Sequence, residues 1–371
     1  MLPPAFRRLE EIDAQDHVDR SRLPYRPMDT GPGLYRNLSK DDNGDPIQAR
    51  TIEWGQFDLN SRLVVSPRGH RYTAKLPDGK DGLAWQSKLG FVGISVSDDR
   101  FIGEGMNEAG LTAGLFYFKG FGSLATYDPN DVADMDFVRW MLSQFSTVDE
   151  VKSALNTVKI VPVYIDENGM PSPTAHWRVT DRDGNSIVIE IIDNGRITIH
   201  DNTVGVLTNS PGFESQALNL SNYVHLQPGT AGARKFGGHE AASFGVGTAF
   251  WGLPGDISPP SRFVRAAFFV STAPPMATTL EAVSQAFHIL HNFDIPLGTE
   301  FGETERAHIP DLPSATQWTA VMDQTNGLFC FTSMRDSAVR QVDLNRIDFA
   351  TGSETVSPLD NGRFTVRDVT P

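Results

Sequence analysis

The segment from His176 to His200 leaves this chain little choice of local structure. Three runs rich in β-branched and apolar residues, His176 to Thr180, Ser186 to Ile192 and Arg196 to His200, are separated by Asp183-Gly184 and Asn194-Gly195. Those dipeptides accept the positive φ that tight hairpin turns demand, so the three runs read as an antiparallel meander. Leu207-Thr208-Asn209-Ser210-Pro211-Gly212 follows and reads as the end of that meander, with the Asn209 amide presented where the chain turns. An amide fixed by a sheet can donate to an oxyanion. Taken alone, Asn-Ser-Pro-Gly is simply a turn sequence.

Strand signals recur on both sides. Leu34 to Leu38 and Pro46 to Trp54 flank the turn-rich Asp41 to Asp45, and Arg62 to Ser66 supplies a third strand. Trp85 to Val96 and Phe101 to Phe118 continue the sheet, with Gly105-Met106-Asn107-Glu108-Ala109-Gly110 as a tight connection. Helices come next. Asp134 to Phe145 carries Phe137, Val138, Met141 and Leu142 at helical spacing, and Thr147-Val148-Asp149-Glu150 is a capping box for a helix through Leu155. A second helical pair, Arg262 to Thr272 and Thr279 to Asn292, precedes strands at Gln317 to Asp323, Gly327 to Thr332 and Val342 to Phe349. The order strands, helices, strands, helices, strands predicts an α+β fold, two stacked antiparallel sheets with helices on both outer faces. Residues 1–29 are polar and broken by Pro3, Pro4, Pro24 and Pro27. They read as a poorly ordered extension, and residues 30–371 as one domain.

The formal net charge of -14 and the lack of any basic run make nucleic acid and anionic membranes poor partners. No apolar stretch approaches the roughly eighteen residues that a membrane span needs. The first 29 residues lack the apolar middle of a secretory signal, so the chain as written reads as cytoplasmic, and as periplasmic if its true start differs. The single cysteine, Cys330, excludes a disulfide framework and sits in an alternating strand pattern, as a packed thiol. His288 and His291 lack further residues at ligand spacing, so neither a metal nor a cofactor is expected. No G-x-S-x-G elbow, P-loop or dinucleotide fingerprint occurs.

Two further places draw notice. Arg50 and Glu53 lie three apart in Ala49-Arg50-Thr51-Ile52-Glu53-Trp54, where strand period places them on opposite faces unless the strand bends. Gly252-Leu253-Pro254-Gly255-Asp256 leads a rigid loop to Arg262 at a helix start, where the helix dipole disfavours a cation. The plain alternatives are solvated charges on a hairpin and a surface arginine on a capping loop.

Together these segments resemble the choloylglycine hydrolase family, the bile salt hydrolases and penicillin V acylases among the N-terminal nucleophile hydrolases. The likeness runs from about residue 33 to 350. It rests on Ala49 to Trp54, Gly105 to Leu111, Leu207 to Pro211, Gly252 to Asp256, Ser261-Arg262-Phe263-Val264-Arg265 and Val342-Asp343-Leu344. Arg-Thr-Ile-Glu-Trp and the run Phe116-Tyr117-Phe118 look most like the Gram-negative penicillin V acylase branch, whose members also cleave N-acyl homoserine lactones. The resemblance implies an αββα sandwich and hydrolysis of a small acyl amide. It makes Arg50 the arginine beside the nucleophile, Glu53 the counterpart of the family's Asp, Asn209 the oxyanion-hole residue and Arg262 the second active-site arginine. Trp54, Phe116 and Tyr117 would surround the acyl group. Relatives are often tetramers, with an assembly loop at the place of Tyr223 to Gly255, so a homo-oligomer, tetramer or dimer, is expected here.

The family's nucleophile is an N-terminal cysteine whose own α-amine relays the proton, since an amine of pKa about 8 can act as a base near neutrality. Here residues 1–329 contain no cysteine. Aligning Tyr35 with a family tyrosine puts Thr30 at the nucleophile position, and aligning Thr30-Gly31 with the family's Thr-Gly puts Asp29 there. Three readings follow: Thr30 attacks after residues 1–29 are removed; the chain is an inactive member that binds acyl amides; or the start of the sequence is misassigned.

Overall fold

Alternating hydrophobic strands in this computed structural model pair into two antiparallel sheets, seen over residues 33–37, 46–76, 80–122, 131–162, 175–300 and 312–370. The expectation for residues 1–29, and the candidate Thr30, lie outside the described residues. One sheet contains β1 (Gly33–Asn37), β2 (Pro46–Glu53), β10 (Val206–Leu207), β11 (Thr316–Asp323), β12 (Leu328–Ser333) and β13 (Asp336–Asp343), in the order β10-β1-β2-β11-β12-β13. The other contains β3 (Arg62–Ser66), β4 (Phe91–Val96), β5 (Asp98–Asn107), β6 (Thr112–Tyr117), β7 (Ala175–Thr180), β8 (Ser186–Ile192), β9 (Arg196–Asp201) and β14 (Thr355–Pro358), in the order β9-β8-β7-β6-β5-β4-β3-β14.

Helices close both outer faces. The helix α1 (Phe137–Gln144) packs on β5 and β6, and Phe137 meets Trp177 edge-on at 5.0 Å. It is followed by α2 (Val148–Ala154), whose Thr147 and Glu150 form the expected capping box. Beyond α3 (Phe213–Asn219), α4 (Pro259–Thr272) and α5 (Thr279–Leu290) cover the six-stranded sheet. Every residue of β2 and of β11 is buried because one face meets these helices and the other meets the second sheet. The four layers are those of the αββα sandwich that the element order predicts.

Four local expectations need correction. Val206–Leu207 does not finish the meander; it pairs with β1, so the chain crosses between sheets after β9. Alternation marks a strand but not the sheet that owns it, and the crossing is made by a turn in which Asn202 accepts the Gly205 N–H. Gly105, Met106 and Asn107 belong to β5, and the turn begins only at Glu108. Gly105 is glycine for packing, since a Cβ there would stand 2.6 Å from Leu142 of α1. Trp85 to Val96 is split: Asp81–Gln86 pairs with Arg71–Lys75 outside the large sheets, and only β4 joins the eight strands. Val342 to Phe349 is strand only to Asp343, whose side chain accepts the Asn345 N–H and opens a short 3-10 turn.

Candidate active site

Arg50 and Glu53 make separate contacts, the first with the eight-stranded sheet and the second with Thr316 and Arg262. Arg50 crosses to the eight-stranded sheet, where Nη1 donates to the carbonyls of Leu115 at 2.7 Å and Gly103 at 3.1 Å. Its guanidinium lies 4.4 Å from the centre of the Phe116 ring and 3.5 Å from Glu104, which faces Arg178 at the same distance. All three charged groups are buried. Burial lowers the Arg50 guanidinium against the pull of Glu104 and Glu53, and lowers Arg178 to about 10. The same burial raises the Glu104 carboxyl against the two arginines. Gly114 makes this possible, since any Cβ there would collide with the Glu104 carboxylate.

On the helix side, Glu53 accepts from Thr316 Oγ1 at 3.1 Å and lies 3.9 Å from Arg262 Nη1. Arg262, in the first turn of α4, also donates Nε to the Ile257 carbonyl at 2.8 Å and Nη2 to Asn209 Oδ1 at 2.8 Å. Arginine has only donors, so the Asn209 atom that meets it is the oxygen, and the NH2 must point the other way. There Nδ2 donates to the Tyr117 carbonyl at 3.0 Å. A buried chain therefore runs Glu53, Arg262, Asn209, Tyr117. The cation misplaced against its helix dipole is explained by this carboxylate and amide oxygen.

The Asn209 turn is held from within by Gln216 of α3. Its Nε2 donates to the carbonyls of Asn209 and Pro211 at 2.6 and 2.7 Å, and its Oε1 accepts from Thr208 Oγ1 at 2.6 Å. Strand β1 begins beside this assembly, with Gly33 opposite Arg50 on one edge and Leu207 on the other.

The aromatic candidates are less alike than their sequence suggests. Phe116 is fully buried as a platform for Arg50 and Arg178, whose guanidiniums lie 4.4 and 5.2 Å from its centre. Tyr117 is buried and contributes its carbonyl to Asn209. Trp54 is buried beside Phe57, edge to face at 5.2 Å. Cys330 is the packed thiol that alternation predicts, and burial with the neighbouring Asp323 charge pushes it to about 11. Glu104, Arg178 and Gln216 escaped sequence reasoning. The only signal was Gly114 inside an otherwise bulky strand.

A family model described as linear amide C-N hydrolases, choloylglycine hydrolase family, matches residues 37–357. The chain belongs to this family. Its members are amidases that act on carbon–nitrogen bonds, and similarity to individual choloylglycine hydrolases extends over most of the sequence. A bile salt hydrolase/transferase of Clostridium perfringens (strain 13 / Type A) is 30% identical over 294 residues, 78% of this chain and 86% of the relative. A crystal structure of a conjugated bile acid hydrolase variant from Clostridium perfringens superposes with a TM-score of 0.77 at 27% identity, covering 91% of this chain and 100% of that one. Penicillin V acylase from Agrobacterium tumefaciens gives 0.70 at 26% identity, with 91% and 94% covered.

Proposed function

We propose that the protein hydrolyses linear acyl amides at a centre where β1 begins, with Thr30 as nucleophile once residues 1–29 are removed. The observation that carries this reading is the buried Glu53–Arg262–Asn209 chain beside the start of β1. Thr30 Oγ attacks the amide carbonyl while the new α-amine takes its proton. The Asn209 NH2 donates to the oxyanion, and Glu53 and Arg262 keep that amide turned the right way. The C–N bond breaks, the amine leaves with the relayed proton, and water hydrolyses the Thr30 ester to release the acid. Arg50 supplies positive charge from the side of the eight-stranded sheet. Trp54, Phe116 and Tyr117 give the acyl side its aromatic surroundings, which suits phenoxyacetyl or fatty acyl groups, including N-acyl homoserine lactones, better than steroids.

Turnover of a chromogenic phenoxyacetyl anilide tests the reading, together with intact mass. The expected result is a chain shortened by residues 1–29, loss of turnover in Thr30→Ala, and a kcat about 10²- to 10³-fold lower in Asn209→Ala. A full-length chain without turnover would overturn it.

One observation favours a second reading, an inactive member that binds acyl amides. The sole cysteine is buried in β12 and its thiol is held protonated, so it offers no thiolate. Saturable binding of the uncleaved anilide by a full-length, inactive chain would support that reading.

Residues 30–371 are read as one domain acting in the cytoplasm, or in the periplasm if an export segment precedes the chain in the cell. No helix among the described residues is long and apolar enough to cross a membrane. The segment 223–255 is read as an assembly surface for a homotetramer or dimer, because it exposes Phe236, Phe244, Val246 and Trp251.

A further inference from the structure

The turn that carries Asn209 is fastened at both ends by one buried pair. His176 of β7 has Nε2 2.7 Å from the Thr208 carbonyl, and its Nδ1 lies 3.3 Å from Glu190 Oε1 of β8. That same oxygen accepts the backbone N–H of Phe213 at 2.7 Å. Thr208 and Phe213 bracket the turn. The imidazole is fully buried and stacked on Phe118, with centroids 4.3 Å apart and planes 9° from parallel. Nε2 faces the Thr208 carbonyl, to which it can only donate, and Nδ1 faces the Glu190 carboxyl group.

The surroundings fit a constrained pair. Glu190 Oε2 lies 3.4 Å from His200 Nε2 of β9, and His200 Nδ1 lies 3.5 Å from Glu214 of α3, whose carboxylate is exposed. Burial pushes the Glu190 carboxyl up, but the hydrogen bond and charge of His176, with the Phe213 N–H, outweigh it and hold the group below the usual carboxylate value. Gly212 packs on this carboxylate, and a Cβ there would stand 3.1 Å from Oε2.

We infer that His176 and Glu190 are positioning residues for the Asn209 amide, setting its place by clamping Thr208 and Phe213 on either side. The inference rests on the reading of Asn209 as the oxyanion donor. The physical reason is leverage: a shift of about 1 Å at a donor can cost about 10²-fold in rate. Gln216 fixes the inside of the turn and, with the Pro259 carbonyl, the Thr208 hydroxyl, while the pair holds the Thr208 carbonyl and the Phe213 N–H.

The test uses the whole chain labelled with ¹⁵N-asparagine, with the Asn209 side-chain signal assigned by its loss in Asn209→Asp. His176→Phe keeps a ring on Phe118 and removes both hydrogen bonds, while Glu190→Gln keeps an acceptor for Phe213 and removes the charge. In His176→Phe the Asn209 signal should move and kcat should fall about tenfold to a hundredfold, with KM changed by less than about twofold. In Glu190→Gln, which keeps the Phe213 anchor, the signal should stay near wild type. That variant should also abolish the acid limb of the kcat profile, which lies below the usual carboxylate range because the pair is intact above the depressed Glu190 pKa and lost below it. If His176→Phe fails to fold, Glu190→Ala, which loses the Phe213 anchor, carries the same measurement. A folded His176→Phe or Glu190→Ala variant with an unmoved Asn209 signal overturns the inference. A wild type without turnover whose Asn209 signal still moves in His176→Phe overturns the proposed hydrolysis and leaves the positioning pair standing.

Discussion

Glu104 sits between two buried arginines, and its removal leaves two guanidiniums facing each other with no carboxylate. Losing one member of a buried ionic cluster typically costs about 3–5 kcal/mol, so Glu104→Gln should lower the urea midpoint sharply, and an unchanged midpoint would contradict the geometry. The sequence hides such a residue. Glu104 and Arg178 become neighbours only because each is paired in register with Gly114 of β6. His176 reaches Glu190 across the β7–β8 pairing in the same way. Arg50, Glu53, Asn209 and Arg262 were named through the family motifs, and of these Glu53, Arg262 and Asn209 are linked directly while Arg50 contacts the eight-stranded sheet. What local spacing cannot carry is the cross-strand register that gives each its partner.

Helices were the most readable elements because their signals are local: apolar spacing over Phe137 to Leu142, a capping box at Thr147, and a Gly/Pro loop ahead of Arg262. Strands were legible as strands, but not by sheet, and β10 was assigned to the wrong one for that reason. The loop before α4 makes its own prediction. Asp256 accepts from the Ser258 N–H at 2.9 Å and from Ser261 Oγ at 2.6 Å, and also bonds the Ser258 hydroxyl. The serine hydroxyls hold its carboxyl down at about 2 from 3.8. A depressed carboxylate stabilises the fold above its unfolded value and loses that contribution as pH falls through the folded one. Thermal scans should therefore show a wild-type stability loss between 3.8 and about 2 that is diminished in Asp256→Asn. Equal acid sensitivity in both would remove the loop from the account of how Arg262 is placed.

At the scale of the molecule, the segment 223–255 is the part least explained by one chain alone. Its short hairpin, Arg234–Phe236 with His239–Ala241, is exposed, and Phe244 and Trp251 project from the loops beyond it. Light scattering should give an assembled wild type and a smaller species for Phe244→Asp combined with Trp251→Asp. A wild type that is monomeric at micromolar concentration would refute the assembly reading. A different consequence follows from β1, which is stitched on one edge to β2 and on the other to β10. A nascent chain that has not yet delivered Leu207 from the ribosome lacks one flank of that strand, however well its opening hairpin has formed. Assembly of the proposed centre, and the proposed trimming if it depends on that centre, must therefore wait until more than half of the protein has been synthesised.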